Sequence, residues 1–427
     1  MIFFDVIAKH SNSDVYLNEN NIIHALMYAD DLVLISRTKE GLQRQIDALH
    51  EYCKKWKLSI NITKTQSMVF NRGNNLIKAN FNVGGKPIEN VKSYKYLGFT
   101  ISAKNCSFQN TIDDLTLKAS RAIYAIKGKM KLSKLPITLA VKIFKTQVVP
   151  ILLYGSEVWG PYMGLDYMSW EKGKTERVQT QFIKQMLGCN FQTSNNMTRA
   201  ESGNRPLINM AIKRYITYTK SLHSMKYKLC YDSIIYEAEN AVLPNFCTYC
   251  SNFDLDINVL VQKSKTDIDK ICTENYDRFW KSQMLQSTKA VSYNKFKSNI
   301  SLERHLLLRF NLKHKIALTR FRMSNHTLLI ETGRHSKIDK TERKCHFCKD
   351  KIEDEQHFLI DCPLYSRLRS NLESICIENC KKFQDLNDEQ KFIFIMSNEC
   401  EIVIKSLAKF ISDAFILRDR IVTYFFS

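Results

Sequence analysis

The stretch "HALMYADDLVLIS", residues 24 to 36, sets two carboxylates in the middle of an apolar run. Residues 22–28 and 32–35 are short, apolar and partly β-branched, which favours strands over helix. Asp30 and Asp31 fall at the break, so the stretch predicts a hairpin with carboxylates at its tip. Neighbouring side chains on a strand point to opposite faces, so the two acids need not play equal roles. An unpaired buried carboxylate is costly. With apolar flanks on both sides, the pair asks for compensation, and a divalent cation is the natural one. Two hard Mg2+ ions shared between carboxylates and phosphate oxygens would clamp an in-line phosphoryl transfer. The plainer alternative is a solvated surface turn, and the apolar flanks count against it.

A helix is expected next, capped by Thr38, with Leu42, Ile46, Leu49, Cys53 and Trp56 at helical spacing. "LSINITKTQSMVF" (58–70) reads as extended, with Lys64 and Thr65 in its middle. "IENVKSYKYLGFTIS" (88–102) reads as a second hairpin, with Gly98 near its bend. Strand, acidic turn, strand, helix, strand and hairpin make an α+β layer, a small antiparallel sheet with a helix.

"YADDLVLIS", the helix ending "KKW", "INITKT" and "YKYLG", in this order, resemble the back half of a reverse transcriptase palm. The resemblance is closest to non-LTR (LINE-type) retrotransposons. It implies RNA-directed DNA polymerase chemistry with Mg2+, on an RNA template and a DNA primer or target. By that resemblance Tyr28, Ala29, Asp30 and Asp31 form the metal-binding turn, Asp30 the principal ligand and Asp31 the supporting one. Lys64 matches a lysine that assists the leaving pyrophosphate, and Tyr96, Leu97 and Gly98 match a primer-gripping hairpin. Without the family, Lys64 would read as an exposed strand lysine and Tyr96 as ordinary hairpin packing. The family's order puts a further aspartate and the fingers upstream of the acidic turn. The acids there, Asp5, Asp14 and Glu19, lie in a stretch resembling the segment just before that turn. The chain is therefore expected to be N-terminally truncated, without fingers or first catalytic aspartate, and inactive as a polymerase by itself.

The charge balance is the second constraint. Lys and Arg total 63 against 43 acids, a net charge of +20, which suits nucleic acid first and an acidic membrane surface second. From Leu115 to Ser156 there are eight Lys/Arg and no acid. Ala119, Ile123 and Ile126, then Leu139, Ile143 and Val148, recur at helical spacing, and Pro136 separates two helices. In the family the thumb lies here, which makes Lys118, Arg121, Lys127, Lys129, Lys131 and Lys134 candidate phosphate contacts; the plainer reading is a solvated helix face. Glu157 and Trp159 in "YGSEVWG" match a recurring family stretch and read as packing. Residues 170–300 are mostly helical in pattern, with loop signals at "LGCNFQTSNNMTRAESGNRP". Cys247 and Cys250 of "CTYC" have ligand spacing, with Cys230 and Cys272 nearby, but no second CxxC pair or suitable His follows at finger spacing, and they read as incidental thiols.

"CHFCKDKIEDEQHFLIDCP" (345–363) reads C-x2-C-x8-H-x4-C. Cys345 and Cys348 can chelate from one knuckle turn, and His357 and Cys362 return from a short helix. Three thiolates and one imidazole fill a closed tetrahedral Zn2+ site, structural because no position is left for substrate. His346 is a competitor made awkward by its adjacency to Cys345. Such a knuckle often ends retroelement proteins of this class, followed by a Y-x-x-x-R pattern as in Tyr365 to Arg369. The spacer here differs from the shorter retroviral nucleocapsid knuckle, so that module's binding mode is not carried over. Before it, Arg304 to Lys344 carry 11 Lys/Arg against three acids, with aromatics and histidines interleaved. Arg309, Lys313, Lys315, Arg320, Arg322 and Arg334 are candidates for RNA or target-DNA contact.

The expected division is a palm remnant over 1–105, a helical thumb-like region over 106–225, a basic helical connector over 226–340, the zinc knuckle over 341–375 and C-terminal helices over 376–427. Thirteen cysteines in so long a chain suggest reduced thiols, hence an intracellular protein of nucleus or cytoplasm. "MIFFDVIAKH" is no signal peptide and "VVPILLYG" falls far short of a membrane span, so secretion and membrane insertion are not expected. The leading reading is a fragment of a retroelement RNA-directed DNA polymerase. The alternative is a non-catalytic RNA/DNA-binding remnant with a structural zinc knuckle, and a third class is a zinc-bearing interaction protein without nucleic acid.

Overall fold

The structure is a computed structural model that describes residues 15–18, 21–71, 77, 79–103, 108–130, 135–163, 166–224, 232–233, 259 and 262–426. The chain divides into two compact units: residues 1–117, 154–170 and 211–264 form the first, and residues 118–153, 171–210 and 265–427 the second.

The first unit holds the strands. β1 (Val15–Asn18) pairs with β2 (Asn21–Ile23), and β3 (Ala25–Tyr28) with β4 (Asp31–Leu34), both antiparallel. Helix α1 (Lys39–Lys55) starts where the sequence places it, with the Thr38 hydroxyl accepting from the Gly41 amide at 3.1 Å. Leu42 and Ile46 face a small core with Phe81, Val83 and Ile88. Trp56, expected on that face, is exposed instead, because the helix ends at Lys55 and Trp56 only caps it. Gln43 donates to the Asn82 carbonyl at 2.8 Å and accepts from its amide at 3.1 Å, completing the hydrogen bonding of an edge-strand residue.

Two readings of this region change. The stretch 58–70 is not one strand: Asn61 organises a turn, its carbonyl accepting from the Lys64 and Thr65 amides, both at 3.1 Å, and its side chain from Thr63 at 2.7 Å. Asparagine satisfies local backbone donors and so outcompetes the ladder. Only Gln66–Ser67 (β5) is extended, running parallel to β7 (Lys86–Asn90), which pairs on its other side with β6 (Phe81–Val83). The predicted hairpin is then confined to β8 (Ser93–Tyr96) and β9 (Phe99–Ser102). Among the described residues the strands form four small sheets rather than one.

The second unit is helical. Besides the part of α2 (Gln109–Lys129) beyond Leu117, it contains α3 (Ile137–Ile143), which opens after Pro136 as expected and widens into a π-helical turn over Phe144–Val148. Pro150 follows within the same helical stretch; a proline lacks the amide and its ring crowds the carbonyl four residues back, and a wider turn relieves both. Next come α4 (Lys174–Met186) and α5 (Asn195–Ser202). The latter lies in the stretch that carries loop signals, yet Ser194 caps it, accepting from Met197 at 3.4 Å, and Gly203 ends it with left-handed φ of 65°. Farther on are α6 (Lys265–Gln286), α7 (Leu312–Arg322), α8 (Ser366–Asn379) and α9 (Glu401–Phe426). α9 packs against α7 and α8, as its apolar composition requires. Leu318, Phe321, Cys345, Phe358, Cys362, Leu372 and Leu407 sit in one continuous core. Segments read separately as connector, knuckle and C-terminal helices therefore share their interior.

Buried ion pairs hold this unit together. Arg199 on α5 pairs with Glu171 at 2.7 Å and Glu176 at 3.0 Å, and Glu176 also accepts from the Leu207 amide at 2.9 Å. Burial, opposed by Arg199, leaves the Glu176 carboxyl at about 7. Arg322 on α7 bonds Glu201 and the Met396 carbonyl and pairs with Glu303 at 2.7 Å. Arg418 on α9 grips Glu353 with two 2.8 Å bonds.

Candidate functional site

The acidic hairpin forms with its carboxylates at the tip, as the sequence predicts. Tyr28 faces Asp31 and Met27 faces Leu32, so Ala29 and Asp30 alone make the two-residue loop. Ala29 takes a left-handed φ of 53°, a conformation that glycine adopts freely and alanine only at a cost. Strain of this kind gathers where geometry is imposed by function. One premise fails, however. Leu26, Met27 and Tyr28 are exposed at 40%, 53% and 66%, and both acids are exposed with them. Desolvation therefore does not demand a cation here; the tip is an open, like-charged pair. Among the described residues no third metal-ligating side chain joins Asp30 and Asp31.

β8 and β9 are joined by Leu97 and Gly98, with φ of 48° and 88°, a double left-handed turn. Burial raises the Tyr96 hydroxyl above its usual range, and the charge of Asp31 raises it further. Lys64 is exposed at the end of the Asn61 turn.

The brace of the Leu97–Gly98 turn was not anticipated. Tyr154 donates its hydroxyl to the Leu97 carbonyl at 3.0 Å, and its ring lies 5.7 Å from that of Phe99. A Cβ on Gly98 would come within 2.8 Å of the Tyr154 ring, and one on Gly155 within 2.0 Å of Phe99. Trp159, stacked on Trp170 at 5.8 Å, donates to the Tyr154 carbonyl at 2.8 Å. The stretch "YGSEVWG" is packing, as read, but packing aimed at the hairpin turn. The signal available in sequence was the adjacency of a tyrosine and a glycine with no turn partner of their own.

Cys345, Cys348 and His357 close on one another, and Cys362 lies against Cys345. Cys348 Sγ lies 3.3 Å from His357 Nε2, and Cys345 Sγ lies 3.9 Å from Cys362 Sγ. Ligand atoms of Cys345, Cys348 and His357 are all within 4.8 Å of one another. Zinc–sulfur bonds of about 2.3 Å at tetrahedral angles put two thiolates about 3.8 Å apart, so this donor set fits Zn2+. Lys349 turns the knuckle with φ of 62°, and the strand-like bridge Lys344–Ile352 closes it. His357 Nδ1 is buried and faces Asp361 at 3.8 Å, the outer carboxylate that a ligating imidazole uses. His357 and Cys362 come from a π-helical turn, His357–Asp361, and its end. Arg369 then donates to the Leu359 carbonyl at 2.8 Å and the Cys362 carbonyl at 2.7 Å, and Tyr365 packs 4.6 Å from Phe358. The Y-x-x-x-R pattern is thus a strap around Cys362.

The basic candidates divide. Lys118, Arg121 and Lys129 are exposed on α2, and Lys127 bonds Gln185. Lys131 and Lys134 lie outside the described residues, as do Cys230, Cys247 and Cys250. Arg309 and Lys313 are exposed. Arg320 is exposed and donates to the Gly188 carbonyl at 2.6 Å. Lys315 is partly buried, donating to Leu308 and lying 5.2 Å from the Phe310 ring; Arg334 is paired with Glu331. Arg322 is a correction: at 5% exposure it sits inside the protein between Glu201 and Glu303, out of reach of any phosphate. Alternating basic and aromatic residues look alike in sequence whether their cations face water or buried acids.

Residues 1–101 match the reverse transcriptase (RNA-dependent DNA polymerase) family model. The matched segment includes both hairpins of the site. The chain is 30% identical over 155 residues to the RNA-directed DNA polymerase from mobile element jockey of Drosophila melanogaster, covering 34% of this chain and 16% of that polymerase. It is 28% identical over 142 residues to the probable RNA-directed DNA polymerase from transposon BS of the same fly, 31% of this chain and 16% of that protein. A transposon-derived protein of Caenorhabditis elegans is 30% identical over 171 residues, 38% of this chain and 54% of that protein. The chain thus matches about a sixth of the length of the mobile-element polymerases. No helix among the described residues is long and apolar enough to cross a membrane.

Proposed function

We propose that this chain is part of a LINE-type RNA-directed DNA polymerase: the back of the palm, a helical thumb-like region and a C-terminal zinc knuckle, acting on an RNA template and a DNA primer or target. The observation that carries the reading is the reverse transcriptase family match over residues 1–101, which spans both the Asp30–Asp31 turn and the Tyr96–Gly98 hairpin. Asp30 and Asp31 would hold Mg2+, which when bound supplies charge neutralisation for phosphoryl transfer. Tyr96, Leu97 and Gly98, braced by Tyr154, would hold the primer end against that turn. Lys64, on its exposed turn, is placed to meet the leaving phosphates only if substrate brings them there. Lys118, Arg121, Lys127 and Lys129 would track the duplex backbone.

Two exposed carboxylates bind Mg2+ weakly by themselves, so this chain is proposed to bind template–primer without efficient turnover. The test is primer extension with Mg2+ beside fluorescence anisotropy over a range of salt. The expected result is salt-sensitive binding with little incorporation. Robust incorporation abolished in Asp30→Ala would overturn the inactivity; a flat salt dependence would overturn the nucleic-acid reading.

The knuckle is proposed to hold one Zn2+ through Cys345, Cys348, His357 and Cys362. Its ligands line a core shared with α7, α8 and α9, which favours a structural role. The second reading, a non-catalytic binding remnant, is favoured by the exposed, two-carboxylate state of the turn.

A further inference from the structure

The loop between α4 and α5 is fastened from several sides. Lys184 donates to the Phe191 carbonyl at 2.8 Å, Arg320 to the Gly188 carbonyl at 2.6 Å, and the Asn190 amide to the Asn325 side chain at 3.2 Å. Gly188 takes a φ of 70° with Ile316 so close that a Cβ would come within 2.9 Å of it. Within this clamped loop Phe191 is 68% exposed. A phenylalanine held out by fixed backbone on both sides is an ordering cost already met, with no partner among the described residues that covers its face.

Cations from both cation-rich stretches of the sequence reach this loop or the helix turn that leads into it. Lys127, from the first, bonds Gln185 on the last turn of α4, just before the loop. Arg320, from the second, holds the loop itself. Lys313, Ile316 and Arg320 follow at i, i+3 and i+7 on α7, and Ile316 is the residue against Gly188, so exposed Lys313 shares the face turned to the loop. Cations set around an exposed, pre-fixed aromatic ring are the means by which proteins bind single-stranded nucleic acid: the ring stacks a base and the cations take the phosphates.

We propose that Phe191 is a base-stacking platform for a single-stranded nucleic acid, with Lys127, Lys313 and Arg320 contacting the backbone on either side. The inference rests on the nucleic-acid reading above but adds a site and a preference: an unpaired strand, whose bases are free to stack, rather than a duplex.

The test uses the full chain with a fluorescein-labelled 20-nucleotide oligo(dT) and a blunt duplex of equal length. Phe191→Ala is expected to weaken oligo(dT) binding by about 5- to 150-fold, leaving duplex binding within about twofold. Phe191→Trp is expected to retain oligo(dT) affinity. The slope of log affinity against log salt stays unchanged in Phe191→Ala and falls by about 0.7 in Lys313→Ala. Because Phe191 is exposed, Phe191→Ala is expected to melt with the parent, and circular dichroism checks that. The platform is refuted if Phe191→Ala binds oligo(dT) as well as the parent, or if it weakens strand and duplex alike. In either case salt-sensitive binding by the parent leaves the broader reading standing, whereas a parent that binds neither probe removes both.

Discussion

Arg322→Met is the most informative single change in the helical unit. The guanidinium bonds Glu201, pairs with Glu303 at 2.7 Å, donates to the Met396 carbonyl and lies 4.8 Å from the Phe296 ring. Glu303 keeps Lys297 when Arg322 is gone. Glu201, fully buried, keeps only the Tyr293 hydroxyl at 2.9 Å and a 3.7 Å approach from His305, whose burial holds its pKa well below the usual range and so leaves it neutral. Removing one partner of a buried ion pair costs about 3–5 kcal/mol, a large share of a domain's stability of about 5–15 kcal/mol. Methionine fills the volume and keeps the contact with Phe296, so the loss is chiefly electrostatic. Burial already raises the Glu201 carboxyl against the pull of Arg322. Without that pull it rises further, and the folded variant holds a proton that the unfolded chain releases. A raised folded pKa means stability present below the unfolded value, near 4.3, and lost as pH climbs through the folded one. The difference between parent and variant should therefore be largest at pH 8 and shrink toward pH 5. Urea unfolding followed by circular dichroism at both pH values measures this. Glu201→Gln added to Arg322→Met should recover more than half the loss. A cost under about 1 kcal/mol at pH 8, or one that does not change with pH, would refute the account.

Other outcomes follow from the same geometry. The parent should lose stability as pH falls below about 6.5, because buried neutral His305 takes a proton only on unfolding; Glu201, Arg322, Lys297, Lys315 and Thr319 face it, and His305→Gln should flatten the trend in thermal melts. Burial works to raise Glu355, but hydrogen bonds from His326 and Ser292 prevail and hold it at about 2, so it contributes at most about 3 kcal/mol above pH 4.5 that is lost as pH falls toward 2; Glu355→Gln should remove that contribution at pH 7. Metal analysis of protein purified without chelators should find one zinc per chain, and Cys348→Ser should lower both zinc content and melting temperature. Gly155→Ala should cost at least about 1–2 kcal/mol, since the left-handed backbone alone opposes alanine and Phe99 must also move; a variant that melts with the parent would contradict the packing described.

The hairpin at Asp30 and Asp31, the Thr38 cap, the Leu97–Gly98 bend and the convergence of Cys345, Cys348, His357 and Cys362 were legible because each rests on local rules. Strand period, capping chemistry, left-handed turns and knuckle spacing all act within about a dozen residues. Less legible were features whose local chemistry competes with a pattern. Asn61 broke an expected strand by bonding its own following amides, and an Asn/Ser/Thr-rich stretch formed α5 because Arg199 found Glu171 and Glu176.

The sequence by itself determined the acidic turn, the thiol–imidazole set and the excess of positive charge, since these follow from residue identity and short spacing. Tertiary structure alone decided which cations face water. It buried Arg322 against Glu201 while leaving Lys313 exposed nine residues away. It also set Tyr154 on a turn at Leu97, and brought Lys127 to the last turn of α4 and Arg320 to the loop that follows. The physical reason is that a charge's worth depends on the dielectric and the counter-charge around it, and both are supplied by residues distant in the chain.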